Sequence, residues 1–265
     1  VTTFYLRGRQ ALMLVCATLA LNLAACSSTP KGSETAEAET AGDPRDPLES
    51  INRPIWTFNW EYADKYFLKP ASKAYTGYTP QFLRSGLLNM AENLDEPSSA
   101  VNNLLQGKFS DAGQATGRFV LNSTVGLLGF FDPASDFGWQ RREEEFGEVL
   151  GHYGVGDGPY IMLPALGPSS ARDEVGDFVD RYYWPLAVID FWPNIARNLV
   201  IALETREQLS SQEQLINQSL DSYEFVKNAY FQNVAFRVYD GNPPVEVNDE
   251  EEAELDEYLD EFDDL

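Results

Sequence analysis

Residues 53–68, RPIWTFNWEYADKYFL, carry two apolar stripes at helical spacing: Ile55, Phe58, Tyr62 and Tyr66 on one side, and Trp56, Trp60, Ala63 and Phe67 on the other. Together they cover well over half of a helix's circumference, so a helix from about Arg53 to Leu68 must meet two apolar environments. These are either two layers of protein, as in a central core helix, or one layer of protein and one of lipid. Asn52 is placed to cap its start, and Pro54 is tolerated in its first turn.

The same periodicity recurs downstream, with few runs of β-branched alternation, and the expected fold class is all-α, a single domain of about seven helices. Pro80 opens a helix through about Glu92. Residues 95–97 (DEP) cap another, which carries Val101, Leu104 and Leu105 to a stop at Gly107. Asp111 is placed to cap a third, with Ala112, Ala115, Phe119 and Val120 on one face. A short helix is expected near Glu143 to Leu150, and Ser170 caps the next, with Asp173 placed for a capping box. Longer helices are expected over 194–218 and 222–239. Residues 160–163 and 182–192 are the most apolar passages of the body, yet neither reaches the roughly 18–20 apolar residues of a spanning helix.

Toward the N-terminus, Arg7 and Arg9 precede an apolar run from Ala11 to Ala25, and the run ends in LAAC at 23–26. This order reads as a secretory signal peptide, 1–25, cleaved before Cys26, with the Cys26 thiol diacylated. Ser27 after the cysteine favours sorting to the outer membrane. Residues 26–45 read as a flexible tether, 46–240 as the helical domain and 241–265 as an acidic, disordered tail. Cys16 leaves with the signal, so no disulfide is available and stability must come from burial. The formal charge is −23, and residues 246–265 contain twelve acidic side chains and no basic one. Such a surface repels nucleic acid and anionic headgroups, which leaves apolar contact as the means of membrane association beyond the lipid.

Catalytic motifs are absent. His152 is the only histidine, and with no second histidine or free thiol the commoner zinc sites cannot be built. Gly154, Gly156 and Gly158 lack the spacing and the following helix of a nucleotide loop, and residues 167–170 (GPSS) lack the second glycine of a nucleophile elbow. His152 therefore reads as a structural histidine. Asp173, Asp177 and Asp180 with Arg172 and Arg181 read as a solvated, ion-paired helix face. No catalytic residue and no metal site is assigned, and an enzyme is not expected.

A series of short motifs then appears in order: DPLESINR at 46–53, Phe58-Asn59, NLDEP at 93–97, Val101-Asn102, LQG at 105–107 and Arg118-Phe119. LNST at 121–124 follows with Gly126, then Phe146-Gly147, LGHYGVG at 150–156, GPY at 158–160, Leu163-Pro164 and Arg172-Asp173. Gly176-Asp177, ETR at 204–206 and AYFQ at 229–232 complete it. Through these motifs the chain resembles the MlaA (VacJ) lipoprotein family over roughly residues 46–236. The resemblance implies a ring-like, monotopic helical lipoprotein on the periplasmic face of the outer membrane, with a central amphipathic channel. It implies removal of mislocalised phospholipid from the outer leaflet and its delivery to the soluble periplasmic carrier of the Mla system, in association with a trimeric porin. The competing expectation is an envelope scaffold that organises porins and moves no lipid.

No cofactor is implied beyond the covalent diacylglycerol and N-acyl lipid on Cys26. By the same resemblance Phe58 and Asn59 are candidates for the channel wall. The glycines of 126–131 and 147–158, namely Gly126, Gly129, Gly147, Gly151, Gly154 and Gly156, are candidates for the bends that shape or gate it. Turns needed only for folding remain the alternative.

Overall fold

The computed structural model describes residues 43–244. The signal peptide, Cys26 and nearly all of the tether precede these residues, and the tail leaves them after 244, so those readings lie outside the described residues.

The opening helix is longer than its apolar stripes suggest. It begins as α1 (Glu49–Thr57), continues unbroken through a π-wound segment (Phe58–Leu68) and ends as α2 (Lys69–Tyr78). Leu48, not Asn52, is its N-cap. Asn52 lies inside the helix and is buried, because its amide has been recruited by a distant strand. There follow α3 (Gln81–Asn93), α4 (Glu96–Leu105), α5 (Phe109–Thr124), the short α6 (Pro133–Asp136) and α7 (Phe146–His152). Then come a hairpin of β1 (Tyr160–Leu163) and β2 (Gly167–Ser170), α8 (Ala171–Asp180), α9 (Phe191–Leu209), α10 (Glu213–Gln218) and α11 (Ser222–Val238).

Most boundaries have local causes. Pro80 occupies the N-cap of α3, Gly107 ends α4 at φ +78°, and Ser170 Oγ accepts from the Asp173 amide at 3.2 Å. Asp111 does not cap α5, which starts two residues earlier and leaves that carboxylate in its first turn. The helix expected over 194–218 is broken at 210–212. The break lets Glu213 reach back to Arg206 at 2.9 Å, and Glu213 also pairs with Lys69.

Among the described residues the hairpin is the one sheet in an otherwise helical fold. Its strands are antiparallel, pairing Tyr160 with Ser170 and Leu163 with Gly167. An isolated two-stranded hairpin is marginal in water. Here the first helix completes it with two side-chain amides. Asn52 donates to the Tyr160 carbonyl at 3.0 Å and accepts from the Met162 amide at 2.9 Å. Asn59 donates to the Leu163 carbonyl at 2.8 Å and accepts from the Ala165 amide at 2.7 Å. Each amide group does what a third strand's peptide would do, so the edge of β1 is not left open. Tyr160 and Met162 then point inward to join Trp56, Ile216, Tyr223 and Phe231 in the apolar core.

Packing contacts run in a closed circuit. The hairpin rests on α1 and, through β2, on α8 and α11; α7 packs on both and on α4; α4 packs on α5, α5 on α3, α3 on α9, and α9 on α2 of the opening helix. Among the described residues 15 hydrophobic side chains are buried against 21 polar or charged ones, while 36 large hydrophobics are exposed. So many large apolar side chains on the surface and so many polar ones in the interior are unusual for a domain surrounded only by water.

Candidate functional site

Two cavities between these helices share Arg197 in their walls. One is mixed in character, about 740 Å³, and is lined by α4, residues 143–145, α8 and α9, with Leu166, Leu186 and Ile201 among its apolar walls. Six carboxylates line it, Asp95, Glu143, Glu144, Glu145, Asp177 and Asp180, against two guanidiniums, Arg181 and Arg197. The other is apolar, about 550 Å³, between α3, α5, the Trp184-Pro185 segment and α9, with Leu87, Met90, Phe119, Leu128, Trp184 and Val200 among its walls. Arg197 lines both. Its guanidinium donates to the Ala91 carbonyl at 3.0 Å and grips both oxygens of Asp95, which fixes it at the junction.

The acidic wall is held by a dense hydrogen-bond frame. Asp180 accepts from Ser98 Oγ, Asn102 Nδ2 and the Phe146 amide, each at 2.8 Å. Glu144 accepts from Gln106 Nε2 at 2.6 Å and pairs with Lys108 at 2.7 Å. Glu145 pairs with Arg237 at 2.7 Å, yet burial pushes its carboxyl up to about 7. Burial likewise pushes Asp177 up to about 6 and raises Glu148. Among the described residues the Asp177 carboxylate makes no hydrogen bond or ion pair.

The expectation of a solvated charge face over 172–181 is therefore overturned. Arg172 is buried, Asp173 accepts from the Tyr230 hydroxyl at 2.6 Å, and Asp180 is a framework acceptor. Helical spacing alone could not show that this face meets α4, α7 and α11 rather than water. His152, expected inside the fold, is exposed with its ring edge against Tyr153 at 5.1 Å.

None of the eight candidate channel residues lines either cavity. Phe58 is exposed on the π segment, and Asn59 clamps the hairpin. Gly126 and Gly129 shape the loop after α5. A Cβ on Gly126 would lie 2.3 Å from the Phe131 carbonyl oxygen, and Gly129, at φ +92°, presses against Asn93 of the apolar cavity. Between them Leu127 and Leu128 are held at φ 54° and 61°, a left-handed conformation disfavoured by about 1–2 kcal/mol per residue. Both leucines are exposed, and Leu128 also lines the apolar cavity. Gly147 lets α7 meet α8 at Gly176, and Gly151 abuts Val238 and Arg172. Gly154 and Gly156 belong to the open loop beyond α7.

Sequence reading missed Arg197. It is the one charged residue between Phe191 and Leu203, in a helix whose neighbours Ile195, Leu199 and Val200 are apolar. That isolated charge was the available signal.

Many of the exposed side chains are aromatic or aliphatic. Phe58, Tyr62, Tyr66 and Phe67 are all exposed along the π segment, Phe67 by 74%. Among the described residues no helix is long and apolar enough to cross a membrane.

The family description "MlaA lipoprotein" matches residues 44–237. The chain is 38% identical over 218 residues to the intermembrane phospholipid transport system lipoprotein MlaA of Escherichia coli, covering 81% of this chain and 87% of that protein. It is 36% identical over 213 residues to the protein of that description from Haemophilus influenzae, covering 77% and 84%. A solved chain described under "Structural basis for maintenance of bacterial outer membrane lipid asymmetry" superposes with a TM-score of 0.69 at 40% identity, covering 73% of this chain and 98% of that one.

Proposed function

The chain belongs to the MlaA lipoprotein family, and from that membership we propose that it serves intermembrane phospholipid transport, removing phospholipid misplaced in the outer leaflet of the outer membrane and passing it to a soluble periplasmic carrier. The observation that carries this reading is the large number of exposed apolar side chains together with a cavity whose walls hold six carboxylates and two guanidiniums. A protein resting among acyl chains gains from an apolar exterior, whereas a phospholipid passing through it needs a polar passage for the headgroup and an apolar surface for its chains. The closed packing circuit supports a ring around such a passage. Lipid on Cys26 holds the domain at the periplasmic face of the outer membrane, and a trimeric porin is its membrane partner. No nucleotide motif is present, so direction is set by the carrier and the transport complex beyond it.

The test is surface-exposed phospholipid in a deletion strain complemented with the wild-type chain or with Cys26→Ala, after checking the expression and location of both. Deletion should raise outer-leaflet phospholipid, and only the lipidated chain should restore asymmetry. Unchanged outer-leaflet phospholipid on deletion would put the porin-organising scaffold in its place.

A further inference from the structure

The two cavities differ in the chemistry they offer, and Arg197 faces both. Building on phospholipid transport as the function, we propose that they form one lipid-binding subsite that selects for an ammonium-bearing headgroup: an acyl chain in the apolar cavity, the phosphate at Arg197 and the ammonium at Asp177.

Besides Arg197, the apolar cavity has a polar spot at Asn93 and Ser123. Asn93 is 4% exposed, its Nδ2 donates to Ser123 Oγ at 2.9 Å, and its Oδ1 has no partner among the described residues. Asn93 and Ser123 both line this cavity. A small polar spot at one edge of an otherwise apolar cavity suits the glycerol end of a lipid better than a purely hydrocarbon occupant.

Arg197 is built to receive a phosphate without stranding its present partner. The guanidinium offers a planar fork of donors, which matches phosphate oxygens. Asp95, which now holds that fork, also lies 3.8 Å from Arg141. When a phosphate takes a share of Arg197, Asp95 retains a cation beside it.

Headgroup choice follows from the walls beyond. Glu144 pairs with Lys108, Glu145 with Arg237, Glu143 with Arg141 and Asp95 with Arg197, so among the described residues the lining carboxylates without an ion pair are Asp177 and Asp180. Inside a partly dry cavity the repulsion of a net-anionic headgroup is stronger than in bulk water. An ammonium group has the opposite relation to these walls. Asp177 gains most from it, since it is the lining carboxylate that burial raises and that no side chain neutralises by contact. A zwitterionic phosphatidylethanolamine supplies both the phosphate and the ammonium, whereas a phosphatidylglycerol supplies the phosphate alone.

The full-length lipidated protein, purified in mild detergent, is incubated with mixed micelles holding equal amounts of phosphatidylethanolamine and phosphatidylglycerol with identical acyl chains. It is then repurified, and bound lipid is quantified by mass spectrometry. The wild type should enrich phosphatidylethanolamine about fivefold, an exposed-to-partly-buried charge contact's worth. Asp177→Asn should bring the ratio toward unity with total bound lipid unchanged, and Arg197→Ala should lower both lipids together. Equal binding of the two lipids by the wild type overturns the selection and leaves the transport reading standing. Binding of neither sinks the transport reading itself. Enrichment that persists in a folded Asp177→Asn chain overturns the assignment to Asp177. The wild-type ratio decides the selectivity without any variant, so a variant that fails to fold does not shelter the proposal.

Discussion

The first two parts of the opening helix differ in aromatic content, one residue of nine in the α-wound part against five of eleven in the π-wound part, and the aromatic-rich part is the more exposed. In the α-wound half, Trp56 is buried, its Nε1 donates to Ser222 Oγ at 3.0 Å, and Asn52 is sealed beneath the hairpin. In the π-wound half, Phe58, Tyr62, Tyr66 and Phe67 are all exposed. Beside Trp60, which packs on the core, three polar groups spaced five residues apart bind other elements: Asn59 the hairpin, Asp64 Arg206, and Lys69, the first residue of α2, Glu213. In an α-helix residues five apart point about 140° away from one another. The i→i+5 winding brings them onto nearly one face, so all three reach partners on the same side. Aromatic content thus does not decide which half is core; the distant partners of the polar residues do.

Trp56→Ala should break the buried half most severely, lowering stability by about 3–5 kcal/mol in denaturant unfolding of the detergent-solubilised protein. A loss under about 1 kcal/mol would mean the hub is not the core. Asn52→Ala removes the partner of one strand carbonyl and one strand amide, and should destabilise by about 1–3 kcal/mol per group left unpaired. Hydrogen exchange should then rise first at Met162, whose amide now donates to Asn52. On the exposed half, the quadruple serine variant of Phe58, Tyr62, Tyr66 and Phe67 should leave the unfolding midpoint nearly unchanged. In the Cys26→Ala background it should weaken flotation with phospholipid vesicles about tenfold or more. Normal flotation there would show that another surface seats the protein.

The smallest expected effect is on pH dependence. Glu145 and Asp177 bind protons more tightly in the folded than in the unfolded chain, being raised to about 7 and about 6 by burial. A raised carboxyl means that stability falls as the pH climbs from the unfolded value through the folded one, from about 4 to about 7. The opposing group includes Asp43, held low first by its hydrogen bond from Arg45, Glu204 by Arg84 and Glu213 by Lys69. Their stabilisation is lost only as the pH falls below the ordinary carboxylate range. Thermal midpoints of Glu145→Gln/Asp177→Asn should therefore decline less between mildly acidic and neutral pH than those of the parent. An identical slope would refute the assignment.

Several sequence motifs acquire a physical meaning in the structure. Asp46, Asn52 and Arg53 of the first motif bind Tyr223, the hairpin and the start of α11. Glu96 and Arg118, from motifs 22 residues apart, form a buried pair at 2.7 Å. These polar residues were legible as motifs, but their role as an interior frame was not, because each partner lies on another element. Of the candidate channel residues, the glycines at 126, 129, 147 and 151 were legible as places of close backbone approach. The cavity walls were not, since Asp95, Asp177 and Arg197 come from three separate helices.

The sequence by itself determined the helical class, several local stops such as Pro80, Gly107 and Ser170, and the family, because period, caps and glycine turns act within a few residues of chain. It also determined that no segment of the body is apolar for long enough to span a bilayer as a helix. Tertiary structure alone decided the π winding, the hairpin and the junction at Arg197. Asp64 meets Arg206 across 142 positions and Asn59 meets Leu163 across 104. Contacts at such separations leave no periodic trace in either segment, and they exist only once the circuit of helices has closed.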